Sequence, residues 1–122
     1  MREYDLEDRL VEFAVLVCEI AERPPKNQVG KHLSGQLTRC GTAAAPNYAE
    51  AQNAESRRDF IHKMKICLKE LGEARVWLKF AKRRGIAKNA PIDEGLRESE
   101  ELIRIFSASI KTAQRNDQRD KA

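Results

Sequence analysis

Histidines, cysteines and carboxylates are the residues here whose types could do bond-making chemistry, and their spacing argues against it. His32 and His62 are far apart in the chain. His62 and Cys67 lie close enough to share a helix, but that spacing points them to different sides of it. A di-iron helical bundle needs Glu-x-x-His pairs, and the sequence has none. No glycine-rich phosphate loop follows a strand pattern, and no Gly-x-Ser-x-Gly elbow occurs. Glu70 and Glu73 are one helical turn apart, yet they read better as partners of cations such as Arg39 or Arg75 at a helix-packing edge. The chain is therefore expected to be non-enzymatic, with no cofactor and no metal.

The remaining chemistry is electrostatic. On a helical projection of residues 56–84, Arg58, His62, Lys65, Lys69, Lys79 and Arg83 fall on one side, a cationic ridge without an acid. Lys82 and Arg84 extend the positive charge at the helix end, where bases also offset the helix dipole. Such a ridge suits phosphate contacts along a nucleic-acid backbone, so Arg58, Lys65, Lys69, Lys79, Lys82, Arg83 and Arg84 are the candidate binding residues. The ridge itself shows no aromatic stacking platform, which argues against base-specific reading. The net charge of +4 agrees with a polyanionic partner, although charge kept for solubility would look the same.

These residues need long helices to position them. Ser56 followed by Asp59 reads as a capping-box-like start, and no proline interrupts the chain from there to Arg84. Phe60, Met64, Cys67, Leu71, Ala74 and Leu78 form its core seam, and Gly85 terminates it. A first helix, about 5–23, carries Leu6, Leu10, Phe13, Val17 and Ile20, with Val11, Val15, Leu16 and Cys18 widening its apolar surface, and stops at Pro24–Pro25.

A second helix, about 27–53, starts at Asn27 and buries Val29, Leu33, Leu37, Cys40, Ala44 and Tyr48. It is rich in Gly, Ser and Ala, as close helix approach requires, and Pro46 either kinks it or ends it near Ala45. A fourth helix, about 93–115, has Ile92, Leu96, Ile103, Phe106, Ile110 and Ala113 as its seam, with 116–122 a frayed tail. The economical architecture is all-α: one domain over 1–122, an up-down-up-down antiparallel four-helix bundle.

Three features remain. Arg39, Asn47, Glu50, Glu70 and Glu73 can form a polar layer that fixes helix register. Ile66, Trp77 and Phe80 make a second apolar stripe on the third helix, beyond what a lone bundle uses, and predict an oligomer interface. Cys18, Cys40 and Cys67 are odd in number and widely spaced, with no secretory signal or membrane-length apolar run. That pattern predicts a cytoplasmic protein with reduced thiols and no membrane partner.

The run RCGTAAAPNYAEA, followed by SRRDF and KMKICLKELGEARVWLKF, resembles the four-helix-bundle proteins encoded in ribosomal-RNA intervening sequences. Gln36, Leu37, Arg39, Thr42, Asn47, Glu50, Ala51, Ser56, Asp59, Phe60, Lys63, Leu68, Lys69, Glu70, Glu73, Trp77 and Leu78 carry the match. Cys40, Ala44 and Pro46 depart from it, standing where that family often has Ser, Ile and Ala. The resemblance implies a homopentameric ring. It also implies kinship with the accessory variability protein of bacterial diversity-generating retroelements, which binds a reverse transcriptase and nucleic acid. The leading expectation is a non-catalytic, oligomeric protein that binds RNA or DNA through the third helix. The alternative is an accessory module that docks onto a protein such as a reverse transcriptase.

Overall fold

The computed structural model describes residues 5–121, and all its regular structure is helical: α1 (Leu6–Ala21), α2 (Gln28–Gln52), α3 (Arg57–Arg84) and α4 (Ile92–Lys121). Each of the first three helices begins where the sequence supplies a cap. Asp5, Asn27 and Ser56 accept hydrogen bonds from the otherwise unpaired N–H groups of Glu7, Gly30 and Asp59, respectively. Gly85 ends α3 at φ +67°, a left-handed conformation that glycine adopts without a Cβ penalty.

The second helix keeps the continuous span read from the sequence, and one boundary, the end of the fourth helix, differs. α2 passes unbroken through Pro46, which is exposed, so the missing N–H falls on the outward side of the helix. α4 does not fray at Arg115 but continues to Lys121, tied by Arg57–Asp120 and by a Lys121–Asp117 pair one turn apart.

Consecutive helices pack as neighbours: α1 on α2, α2 on α3 and α3 on α4, with a lighter contact closing α4 onto α1. The helices therefore occupy the corners of an antiparallel four-helix bundle, with α1 and α3 diagonally opposed. The core joins Leu10, Phe13, Val17 and Ile20 of α1 to Leu33, Leu37, Cys40 and Ala44 of α2. On the other side it joins Met64, Cys67, Leu71, Ala74 and Leu78 of α3 to Leu102, Phe106 and Ile110 of α4.

On α4 the innermost line is Gly95, Ser99, Leu102, Phe106 and Ile110. Leu96 and Ile103 are only half-buried, and Val29 of α2 is exposed, contrary to the predicted seams. Gly95 and Ser99 hide the true register: Gly95 sits where Ile20 and Leu78 press close, and Ser99 is a fully buried polar residue whose hydroxyl donates to the carbonyl of Leu96.

The α1–α2 seam is tighter still. A Cβ on Gly41 would lie 2.4 Å from Cγ1 of Val17. Gly41→Ala should therefore destabilise the fold by about 1–3 kcal/mol, despite alanine's better helix propensity. In urea melts, combining it with Val17→Ala should cost less than the two single losses added together. Full additivity would mean that the seam is not in contact.

Cys40 and Cys67 are buried, and burial pushes their thiols up to about 11 and about 12. A thiol reagent at neutral pH should label the half-buried Cys18 first in the native protein and reach the other two only on unfolding. Equal native labelling of all three would show that the α2–α3 seam opens.

Candidate nucleic-acid interface

α3 is positioned by its buried stripe. With Met64, Cys67, Leu71, Ala74, Leu78 and Ala81 turned inward, the residues between them must face outward. Arg58, Lys65, Lys69, Arg83 and Arg84 are exposed, Lys79 is half-exposed, and among the described residues none of the six has an acidic partner within salt-bridge distance. Lys82 differs from them: its Nζ lies 2.6 Å from Asp93, bracing the α3–α4 turn and holding that carboxyl below its usual range. Lys82 is thus the one predicted binding residue already committed to a partner.

The ridge is not continuous. Between Lys69 and Lys79 the outermost positions are Gly72 and Val76, and Val76 is 54% exposed. The cations therefore form two groups about 15 Å apart along the helix axis. Arg58, Lys65 and Lys69 form the first, with exposed His62 beside them; Lys79, Arg83 and Arg84 form the second.

Around the second group run two shallow grooves that share Lys79 and Arg83 as a common wall. One, of about 510 Å³, faces α4 and is completed by Arg75, Lys82, Leu96 and Glu100. The other, of about 480 Å³, is completed by Val76, Phe80 and Arg84. Among the described residues Arg75 has no acidic partner within salt-bridge distance, and the sequence reading missed it as a site residue. The spacing of Arg75, Lys79, Lys82 and Arg83, three and four residues apart, was the signal that could have found it.

The predicted polar layer separates into pieces. Arg39 of α2 reaches Glu70 at 3.1 Å and also pairs with Glu73, and the two carboxylates raise its pKa. Half of the Arg39 side chain is exposed, so this is a surface clasp between α2 and α3 rather than a buried layer. Glu50 instead pairs with Lys63 at 2.7 Å, and Asn47 donates to the carbonyl of Ala43 within its own helix.

The predicted apolar stripe also divides. Ile66 is half-buried, and Trp77 is half-buried with its ring edge-to-face with His32 at 5.5 Å. Phe80 is 38% exposed and meets Trp77 edge-to-face at 5.8 Å. An aromatic ring therefore does lie among the cations, contrary to the reading of the ridge as lacking one.

Among the described residues, no group of three or more His, Cys, Asp or Glu converges to hold a metal, and no helix is long and apolar enough to cross a membrane.

Comparison with known proteins finds a family model and solved structures that match. The family model described as 23S rRNA-intervening sequence protein matches residues 2–108. Among solved structures, a protein of unknown function from the S23 ribosomal protein family of Bacteroides thetaiotaomicron VPI-5482 superposes with a TM-score of 0.79. It is 31% identical, and the match covers 88% of this chain and 99% of that one. No curated protein gives a significant match. With the family match spanning nearly the whole chain and the four-helix fold shared, the chain belongs to the 23S rRNA-intervening sequence protein family.

Proposed function

We propose that this is a non-catalytic nucleic-acid-binding protein whose α3 outer face contacts phosphates. The observation that carries the proposal is the division of charge. The ion pairs that join helices lie along the bundle seams, at Arg9–Glu98, Arg39–Glu70, Lys63–Glu50, Arg57–Asp120 and Lys82–Asp93. Among the described residues, six cations on the outer side of α3 are left without acids. Unpaired cations in a row keep their hydration and their field, and both are exchanged for phosphate contacts when counterions leave the nucleic acid.

With about five phosphates engaged, affinity for duplex DNA should fall by two to three orders of magnitude between about 50 and 200 mM salt. Lys65→Glu, Lys69→Glu and Arg83→Glu together should abolish binding at low salt in a fluorescence-anisotropy titration, while circular dichroism shows an unchanged melt. Undiminished binding by the triple variant would remove α3 as the site.

A second reading, self-assembly, is favoured by a separate observation. Gly35 and Gly72 have open space where a Cβ would be, so nothing inside the subunit requires glycine there, although each weakens its helix by about 1 kcal/mol relative to alanine. Gly72 floors a groove of about 670 Å³ lined by Gln36, Arg39, Lys69, Glu73, Val76 and Trp77. Val11 and Val15 form an exposed apolar stripe on α1, at the diagonally opposite corner of the bundle.

A notch on one side and a ridge of valines on the other suit head-to-tail contact between copies, the kind that closes into rings such as the pentamer implied by the family resemblance. Gly72→Ala should then raise the melting temperature of the isolated subunit but lower the assembled mass in light scattering, and Val15→Glu should also lower that mass. An unchanged mass for both variants would reject the notch. In that case a protein partner such as a reverse transcriptase becomes the alternative occupant, detectable as a pull-down that survives nuclease.

A further inference from the structure

We infer that the C-terminal end of α3 takes an unpaired nucleobase: Phe80 stacks on the base while Lys79, Arg83 and Arg84 hold the flanking phosphates. This rests on the nucleic-acid reading above and goes beyond it by naming the form of nucleic acid, single-stranded RNA or DNA.

The geometry has three parts. Phe80 is among the few large apolar side chains that remain exposed, and it lies in the groove walled by Lys79, Arg83 and Arg84. An exposed aromatic ring adds nothing to solubility, and water is a poor partner for its face. Trp77 meets it edge-to-face, which fixes the ring without covering it as parallel stacking would.

The shared wall supplies the second part. Lys79 and Arg83 line both the aromatic groove and the basic groove toward α4, which adds Arg75. A strand whose phosphates follow Arg75, Lys79 and Arg83 can turn one base across that wall onto Phe80. The aromatic groove, at about 480 Å³, has room for a nucleobase beside Val76. Glu100 and the Lys82–Asp93 pair stand on the α4 side, where they limit the phosphate track, and not in the aromatic groove.

The third part is chemical. Every base has a π-face, so a lone aromatic among cations binds single strands with little sequence preference. Bases inside a duplex have both faces covered by neighbours and cannot use the ring. Trp77 beside Lys69 is half-buried and has Glu73 in the same groove, whereas at Phe80 an exposed ring lies among Lys79, Arg83 and Arg84 with no acid lining the groove.

The test titrates the full-length protein with mixed-sequence single-stranded RNA, single-stranded DNA and a DNA duplex of equal length. It follows anisotropy and the emission of Trp77, the only tryptophan in the chain. Single strands should quench Trp77 and bind more tightly than the duplex does. Phe80→Leu should weaken single-strand binding about tenfold, leave duplex binding and the salt slope unchanged, and lose the quenching, whereas Phe80→Tyr should retain all three. Lys79→Glu with Arg83→Glu should weaken both kinds of binding.

Equal affinity for single strand and duplex, unaffected by Phe80→Leu, would overturn the stacking site and leave the phosphate reading intact. Failure of the wild-type protein to bind any of the three would overturn both. A drop in assembled mass on Phe80→Leu, with single-strand affinity per subunit unchanged, would place Phe80 in a contact between copies and overturn the inference. Circular dichroism of each variant verifies the fold.

Discussion

Val17 stands where a Cβ on Gly41 would have to be, and the bundle is built outward from that exclusion. It sets how closely α1 approaches α2. Gly95 does the same for α4, beneath Ile20 and Leu78. With close approach secured at those points, α3 can be held mainly by one fully buried stripe, Met64 to Ala81. A 28-residue helix gripped along one side leaves its remaining surface unneeded for stability. That freedom allows α3 to carry a row of like charges. In the sequence of a lone helix, such a row would count as repulsion at three- and four-residue spacing. Here burial of the opposite stripe outweighs it.

The fold was legible where its signals are local. Asp5, Asn27 and Ser56 announce helix starts, Pro24 and Gly85 announce ends, and the period of the α1 and α3 seams shows in residues such as Leu10, Phe13, Leu71 and Leu78. α4 was harder because its inner line contains Gly95 and Ser99. These read as interruptions of an apolar stripe, yet both are buried, and Gly95 is where Ile20 and Leu78 come close. The same local reasoning underestimated the end of α4, where Arg57 reaches Asp120 across from another helix. A cross-helix pair of that kind leaves no periodic trace.

The candidate site was legible as a set of cations but not as a shape. A helical projection puts Arg58, Lys65, Lys69 and Arg83 on one line and cannot show that Lys82 is occupied by Asp93 across a turn. Phe80 was grouped by residue type with Ile66 and Trp77 in an apolar stripe, although the projection puts it at the same angle as His62, within the cationic side. In the structure the α2 side of that stripe is filled: His32 packs on Trp77, and Arg39 clasps Glu70 and Glu73. Phe80 lies past the end of that packing, and its surroundings are Lys79, Arg83 and Arg84.

That placement separates the Phe80 groove from the notch proposed for self-assembly, although Lys69 of the cationic face lines the notch. The Gly72 notch opens beside Arg39 and Trp77, and the Phe80 groove lies toward the end of α3, with Val76 common to both rims. A neighbouring subunit seated in the notch would cover Val76 from one side and so deepen the Phe80 groove on the other, lowering the water content around the ring. Repetition around a closed assembly would then present several such grooves in one field. A single strand that engaged one of them would face a high local concentration of the next, provided its length spans the gap. In such an assembly, cations on α3 need only modest individual affinity, and weak sequence preference follows from contacts made to charge and to ring faces.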